Sequence, residues 1–446
     1  MKKIYVIKAV AFVAVFAILL GAVSKVMTYP ADYRNYQWVA GFYEEEDNAL
    51  DAVYIGSSNC YSFWSPVTAW KEFGIAVYPY STNAQPFAAA KHLIKETKKT
   101  QPDALFIVNI NTLEDNSLKI ENVHHLLDYM PLSMNKLALT KHLADVGGYG
   151  LSESMELYFP IIRYHDRWDE LTPDDFNYTV DGLKGASSYY SFMTECRDIS
   201  ESYITSDEEA VLDEELTAMV NDLLDYCDEE KVKVLFVTVP RQEDSVEMVQ
   251  KFNAVNSLIA SRGYPTLNLN GMTEEIGIDL TKDYYNEKHT NIHGAVKFTR
   301  YLSKYLIENY YLEDKRGTEE YASWDFAWDM YRNLLAPYVP DVELDGAHLT
   351  DDLETPADLT TSMDEKQVYV TWSPVAGADG YRIYRKTGDE GNWQQITETS
   401  ECSYADEEAI ISKGGWFFYT VVPYYEENGE KYYGDFSYMG AEIVTL

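Results

Sequence analysis

From Leu50 onward, short apolar runs alternate with stretches in which apolar residues recur at helical spacing. The first run, Ala52-Val53-Tyr54-Ile55, passes directly into the turn residues Gly56-Ser57-Ser58-Asn59. Further strands are expected at residues 75–80, 104–110, 232–239 and 266–269, with helices over 87–99, 212–227 and 245–261 between them. This strand-helix-strand alternation predicts an α/β domain built on a doubly wound parallel sheet. An amphipathic helix over 294–310 closes its core, and 321–335 adds a helix on the outside. Residues 116–206 break the alternation and are rich in Tyr, His and Asp. They read as a long insertion over the carboxyl edge of the sheet, where loops tend to shape substrate sites.

After Pro337 the pattern changes. Pro340, Asp341, Asp345, Asp351 and Asp352 mark a polar linker over 337–354, and beyond it apolar and polar positions alternate with period two. Gln367-Val368-Tyr369-Val370-Thr371-Trp372, Tyr381-Arg382-Ile383-Tyr384 and Phe418-Tyr419-Thr420-Val421-Val422 read as strands of an antiparallel sandwich. The Trp372 strand, Gly380-Tyr381-Arg382-Ile383-Tyr384-Arg385 and Tyr419-Thr420-Val421 resemble the B, C and F strands of a fibronectin type III domain. That resemblance covers 355–446, and about 90 residues suits such a fold.

The N-terminus follows a third pattern. Lys2, Lys3 and Lys8 precede an uncharged apolar run over 9–23, about 15 residues, which lies between a signal-peptide core and a full span. With Lys8 snorkelling, 4–23 is long enough to cross a bilayer as an anchor; cleavage after Ala22-Val23-Ser24 is the alternative. Either way the lysines stay in the cytoplasm and everything beyond Lys25 lies outside. The expected organisation is an anchor or signal over 1–27, an α/β domain over 28–336, the linker, and the sandwich. The expected location is the cell membrane, with a single pass.

Composition narrows the partners. A formal net charge of −37 repels nucleic-acid phosphates and anionic headgroups, so no nucleic-acid partner is expected. Apolar residues at 46% and 38 tyrosines mark a folded chain. Cys60, Cys196, Cys227 and Cys402 include no Cys-x-x-Cys pair, so neither a zinc site nor a disulfide framework is expected. His124, His125 and His165 have no carboxylate or cysteine partners at ligand spacing, and no metal or cofactor is expected.

In an open parallel sheet, ligands collect at the carboxyl ends of the strands, where helix N-termini present unpaired N–H groups. Ser57 and Ser58 stand at such an end. A serine on a tight strand-to-helix turn exposes its hydroxyl while its own N–H faces a developing oxyanion, although helix-capping serines occupy the same place. The far end of the domain sets this one apart. Asp283-Tyr284-Tyr285-Asn286-Glu287-Lys288-His289-Thr290-Asn291-Ile292-His293-Gly294 lies directly before the last helix, where a histidine can reach the end of the first strand.

An early serine and a late histidine separated by the whole sheet are the arrangement of the SGNH hydrolases, the GDSL-type esterases and acyltransferases. The chain resembles that superfamily over about residues 50–311, with Gly56-Ser57-Ser58 in the place of its Gly-Asp-Ser block. The resemblance implies Ser58 as nucleophile and His289 as general base. It is strongest to the membrane-anchored branch, similar to the D-alanyl transfer protein of teichoic acid synthesis and the polysaccharide O-acetyltransferases. That branch carries an N-terminal anchor and Gly-Ser-Ser in the first block. The family's Asp-x-x-His is here Asn286-Glu287-Lys288-His289, with an amide in the carboxylate's place. In a serine-protease triad this change costs about 10⁴ in turnover, because the amide favours the wrong tautomer, yet an asparagine orients the histidine of papain-type proteases. Asn286 and Asp283 are therefore both candidates to orient His289. Asn83, after the second strand, and Asn111, after the third, are candidates for the family's oxyanion donor. Arg163 and His165, within Phe159-Pro160-Ile161-Ile162-Arg163-Tyr164-His165-Asp166-Arg167-Trp168, are candidate substrate contacts.

The resemblance implies an O-acyltransferase acting on a cell-surface polysaccharide or teichoic-acid-like polymer, with a membrane-bound O-acyltransferase as partner. The alternatives are a carbohydrate or lipid esterase using the same residues, and a non-catalytic surface protein with a degenerate site.

Overall fold

The computed structural model describes residues 2–28, 33–115, 118–176, 179–186, 193–341, 348–350, 352–389, 391–409 and 414–445. Asn116, where the expected insertion begins, and Asp345 and Asp351 of the expected linker lie outside them. The chain divides into two compact units, Met1–Ala327 and Trp328–Leu446.

In the first unit, β1 (Ala52–Gly56), β2 (Val77–Ser81), β3 (Leu105–Asn109), β4 (Val234–Thr238) and β5 (Thr266–Asn268) form one sheet in the order β2-β1-β3-β4-β5. All neighbours run parallel. Alternate residues enter two apolar layers. Val53, Ile55, Phe106, Val108, Val234 and Phe236 face one, and Ala52, Tyr54, Leu105, Ile107, Leu235 and Val237 face the other. A sheet covered on both faces has no polar side, which is why these strands are continuous apolar runs.

The helices, in chain order, are α1 (Lys2–Met27), α2 (Tyr33–Phe42), α3 (Ser58–Phe63), α4 (Pro66–Phe73), α5 (Ala90–Thr97), α6 (Ile120–Leu127), α7 (Met134–Val146), α8 (Leu151–Tyr158), α9 (Ile161–Tyr164), α10 (Glu214–Glu230), α11 (Val246–Ser261), α12 (Thr273–Ile276), α13 (Ile292–Tyr310) and α14 (Ala322–Leu335). Leu93 of α5, Val220 of α10 and Val255 of α11 build the first layer, whereas Phe63 of α3 and Phe298 and Leu302 of α13 build the second. The direction of winding reverses between β1 and β3, which opens a crevice at their carboxyl ends. α1 is long and apolar enough to cross a membrane over Ile4–Met27.

The insertion differs from expectation. Its helices α6, α7 and α8 contribute Val123, Leu126, Leu139, Leu143 and Leu157 to the first layer, so these helices build a face of the core. Their apolar stripes give the reason, since buried stripes must face an existing core. The described segment from Met193 onward lies against the hairpin that precedes α13. There Ile292 N donates to Met193 O at 3.0 Å and Arg197 N to Tyr284 O at 2.7 Å.

The second unit carries β8 (His348–Leu349), β9 (Thr360–Met363), β10 (Val368–Thr371), β11 (Gly380–Thr387), β12 (Gln394–Thr399), β13 (Ser403–Asp406), β14 (Trp416–Glu427), β15 (Glu430–Tyr433) and β16 (Ala441–Val444). One sheet is ordered β13-β10-β9 and the other β12-β11-β14-β15-β8, with β16 also on β14. Val368, Val370, Trp372, Ile383, Tyr419 and Val421 fill the core between them. Buried Asp406 accepts from Tyr419 Oη at 2.8 Å and from Arg385 Nη1 at 2.6 Å.

Candidate functional site

β1 ends at Gly56, where a Cβ would stand 2.7 Å from Asn109 Cβ and would also meet Cys60 Sγ. Only glycine lets α3 fold back this close to β3. Ser57 is extended (φ −102°, ψ −152°), and the chain then enters α3 with Ser58 as its first residue. The Ser58 N–H is among the first four of the helix, which lack intrahelical acceptors.

The histidine arrives on a hairpin. β6 (Tyr284–Asn286) pairs with β7 (His289–Thr290), Asn286 opposite His289, and Glu287-Lys288 makes the turn. Asn286 helps to form that turn, because its Oδ1 accepts Lys288 N at 3.0 Å and His289 N at 3.1 Å. Three bonds latch the hairpin in place. Thr290 Oγ1 donates to Ser62 O in α3, Tyr284 Oη donates to Pro240 O after β4, and Gln242 N donates to Glu287 O at 3.1 Å. Asn291 then caps α13, its Oδ1 accepting from His293 N and Gly294 N.

This framework sets His289 Nε2 2.8 Å from Ser58 Oγ and His289 Nδ1 2.9 Å from Asn286 Oδ1. Two backbone N–H groups already address Asn286 Oδ1, so the atom facing Nδ1 is the oxygen. Nδ1 therefore carries the proton, and Nε2 presents its lone pair to the serine hydroxyl. The amide thus selects the tautomer that a carboxylate would select, but it brings no charge. Burial first, then the nearby Arg241 and Lys288 charges, push the imidazole down to about 3, so the ring is neutral across the physiological range.

The other candidates are distributed unevenly. Asp283 does not orient His289: its Oδ2 accepts from Asp279 N at 2.7 Å and Lys297 Nζ at 3.0 Å, which ties it to α13. Asn111 does not present an oxyanion donor either. Its Oδ1 takes Val239 N at 2.8 Å and its Nδ2 donates to Glu243 Oε1 at 3.1 Å and Val239 O at 3.4 Å, so a buried amide is spent joining β3 to β4. Asn83 stays beside α3, with its Oδ1 accepting from Tyr61 Oη and its N–H donating to Asn35. Arg163 and His165 are not brought to Ser58. They sit at the end of α9, which packs against α1 and α8; Arg163 lies over the Tyr164 ring and His165 Nδ1 bonds Ile162 O.

Three site residues escaped the sequence pattern. Arg241 donates to Glu243 through Nε at 2.8 Å and Nη2 at 3.2 Å, and through Nη1 to Asn59 Oδ1 at 3.3 Å, all three being buried. This network ties the residue after Ser58 to the carboxyl ends of β3 and β4. Asn59 Nδ2 is buried with no hydrogen-bond partner among the described residues. The available signal was positional. Pro240-Arg241-Gln242-Glu243 follows an apolar strand just as Gly56-Ser57-Ser58 does, and charged groups at that edge face the same crevice. Among the described residues, no group of three His, Cys, Asp or Glu side chains is placed to hold a metal ion.

No protein-family model and no curated protein matches the chain. Among solved structures it is similar to a fibronectin type III domain of human collagen XX, at 19% identity and TM-score 0.18 over 22% of this chain and 98% of that one. It is also similar to a fibronectin-like protein from Clostridium thermocellum, at 18% identity and TM-score 0.16 over 20% and 86%. A gut microbial diltiazem-metabolizing enzyme aligns at 10% identity and TM-score 0.20, over 82% of this chain and 62% of that one. At these TM-scores none of the three bears on function.

Proposed function

We propose that this chain is an extracytoplasmic serine-dependent O-acyltransferase acting on a cell-surface polysaccharide or teichoic-acid-like polymer. The relay carries this reading, with Ser58 Oγ 2.8 Å from His289 Nε2 and Asn286 Oδ1 2.9 Å from Nδ1. Ser58 Oγ attacks the acyl carbonyl of a donor while Nε2 takes its proton, which then leaves with the donor's oxygen. A sugar hydroxyl next attacks the Ser58 ester, gives its proton to Nε2, and Oγ recovers a proton from there. The Ser58 N–H and Asn83 Nδ2, the Asn83 oxygen being held by Tyr61, suit the oxyanion. An anchor at α1 keeps the site close to a membrane-delivered donor, in keeping with a membrane-bound O-acyltransferase as the supplying partner.

The test is labelling of the full chain by a fluorophosphonate probe, wild type against Ser58→Ala. Labelling of wild type alone supports the reading. Labelling that survives the substitution, or is absent from both, ends the enzyme reading and leaves a non-catalytic surface protein. With an aryl ester as donor, acyl transfer to an added glycan supports transferase action, whereas release to water unaffected by glycan makes the protein an esterase.

A further inference from the structure

We propose that residues 159–176 form a foot lying in the outer interface of the bilayer beside α1, so that the α/β domain rests on the membrane and does not stand off on a tether. This rests on α1 as an uncleaved anchor. Ile4 to Leu19 are exposed throughout, but Leu20, Ser24 and Val26 are half-buried and Met27 is buried. One side of the last two turns of α1 is thus covered by protein, while Gly21, Ala22, Val23 and Lys25 stay exposed.

What covers them is α9 and the two 3₁₀ turns His165–Asp169 and Pro173–Phe176, all packed against α1. Arg167, buried, donates through Nη1 to Met27 O at 2.8 Å and through Nη2 to buried Asp175 at 2.8 Å, which fixes this segment to the exit of the helix. The apolar span Ile4–Met27 has 24 residues, about 36 Å at about 1.5 Å per residue. A hydrocarbon core is about 30 Å thick, so the final turns reach interfacial depth, and whatever packs beside them lies at the same depth.

That segment exposes Phe159 (43%), Ile162 (41%), Trp168 (71%) and Phe176 (64%). A single exposed apolar residue is ordinary. Four of them, just before α9, in α9 and in each of the two turns around a membrane helix, match a surface that inserts its apolar side chains at the headgroup boundary, where tryptophan is favoured. Asp166, Asp169, Glu170 and Asp174 are exposed on the same stretch, so apolar area and not charge drives the contact, and a zwitterionic surface fits best.

Spin labels read this directly on the full chain in phosphatidylcholine nanodiscs, with Cys196→Ser and Cys402→Ser removing the accessible thiols. Labels are placed through Trp168→Cys and Phe176→Cys, with Phe12→Cys in α1 and Val211→Cys, at a 99% exposed site, as references. The expected result is that positions 168 and 176 collide with oxygen in preference to a water-soluble nickel chelate, as position 12 does, while 211 does the reverse. Aqueous behaviour at 168 and 176 with a lipid signal at 12 overturns the foot and leaves the anchor standing. An aqueous or missing signal at 12 removes the anchor and the foot with it. Shielding of 168 and 176 from both reagents overturns the proposal in favour of a second copy of this chain.

Discussion

Asn286 Oδ1 accepts the Nδ1 proton of His289 at 2.9 Å while the same oxygen holds the backbone N–H groups of Lys288 and His289. One atom therefore closes the hairpin and fixes the tautomer of the base. Asn286→Asp preserves both acceptor roles and adds a charge that stabilises the imidazolium, so the imidazole rises from about 3 toward its ordinary value. Under the proposed function, the expected outcome is faster acyl transfer at pH 7. The sign in pH follows, because wild-type kcat/KM is free of a His289 limb between about pH 5 and 8, whereas the variant loses activity as acid protonates the base. A pH–rate series on both proteins checks this, and slower turnover with no new acid limb in the variant contradicts it.

Arg241 and Glu243 are a buried pair at the same edge, so their replacement separates structure from chemistry. Arg241→Met strands a buried carboxylate and is expected to lower unfolding free energy by about 3–5 kcal/mol. Arg241→Met with Glu243→Leu regains most of that, because no uncompensated charge remains. Urea denaturation of wild type, Arg241→Met, Glu243→Leu and the double variant gives the coupling. A single-variant loss below about 1 kcal/mol, the range of exposed pairs, contradicts it.

The parts of this site legible in the sequence are those announced by backbone chemistry. β1 with Gly56-Ser57-Ser58 was visible because a continuous apolar run stops at small turn residues, and His289 because it stands before the helix that closes the core. The ambiguity between Asn286 and Asp283 could not be resolved there, since both lie within a few residues of His289 and only the β6–β7 pairing decides which side chain faces Nδ1. Lys297 reaches Asp283, and Arg241 reaches Asn59, through the tertiary fold, and such contacts leave no periodicity. Helices α6, α7 and α8 are hidden for a related reason, because broken strand-helix alternation reads as loop although their apolar residues extend a face of the core.

The hairpin latches carry their own prediction. Tyr284→Phe removes the donor to Pro240 O, and Thr290→Val removes the donor to Ser62 O. Each is expected to cost about 1 kcal/mol of stability. Turnover should fall further than that stability loss suggests, with KM little changed, since the hairpin places the base and not the substrate. Steady-state kinetics below the melting range checks this; a rise in KM with constant kcat would instead place the hairpin in substrate binding.

Gly56 is a tightly packed point of the site, and its substitution tests whether close approach of β1, α3 and β3 is what aligns Ser58. A Cβ at 56 meets Cys60 Sγ and stands 2.7 Å from Asn109 Cβ. Gly56→Ala is therefore expected to cost about 1–3 kcal/mol by overpacking. Adding Cys60→Ala relieves the sulfur contact but leaves the one with Asn109, because β3 is held between β1 and β4 and cannot retreat. Thermal melts should show partial recovery in the double variant. Fluorophosphonate labelling of Ser58 should stay depressed, since the residual push displaces the turn carrying the hydroxyl while the hairpin carrying His289 stays latched through Thr290 and Tyr284 to Ser62 and Pro240. Full recovery of labelling alongside partial recovery of stability would mean that the serine is positioned by α3 alone, with no contribution from β3.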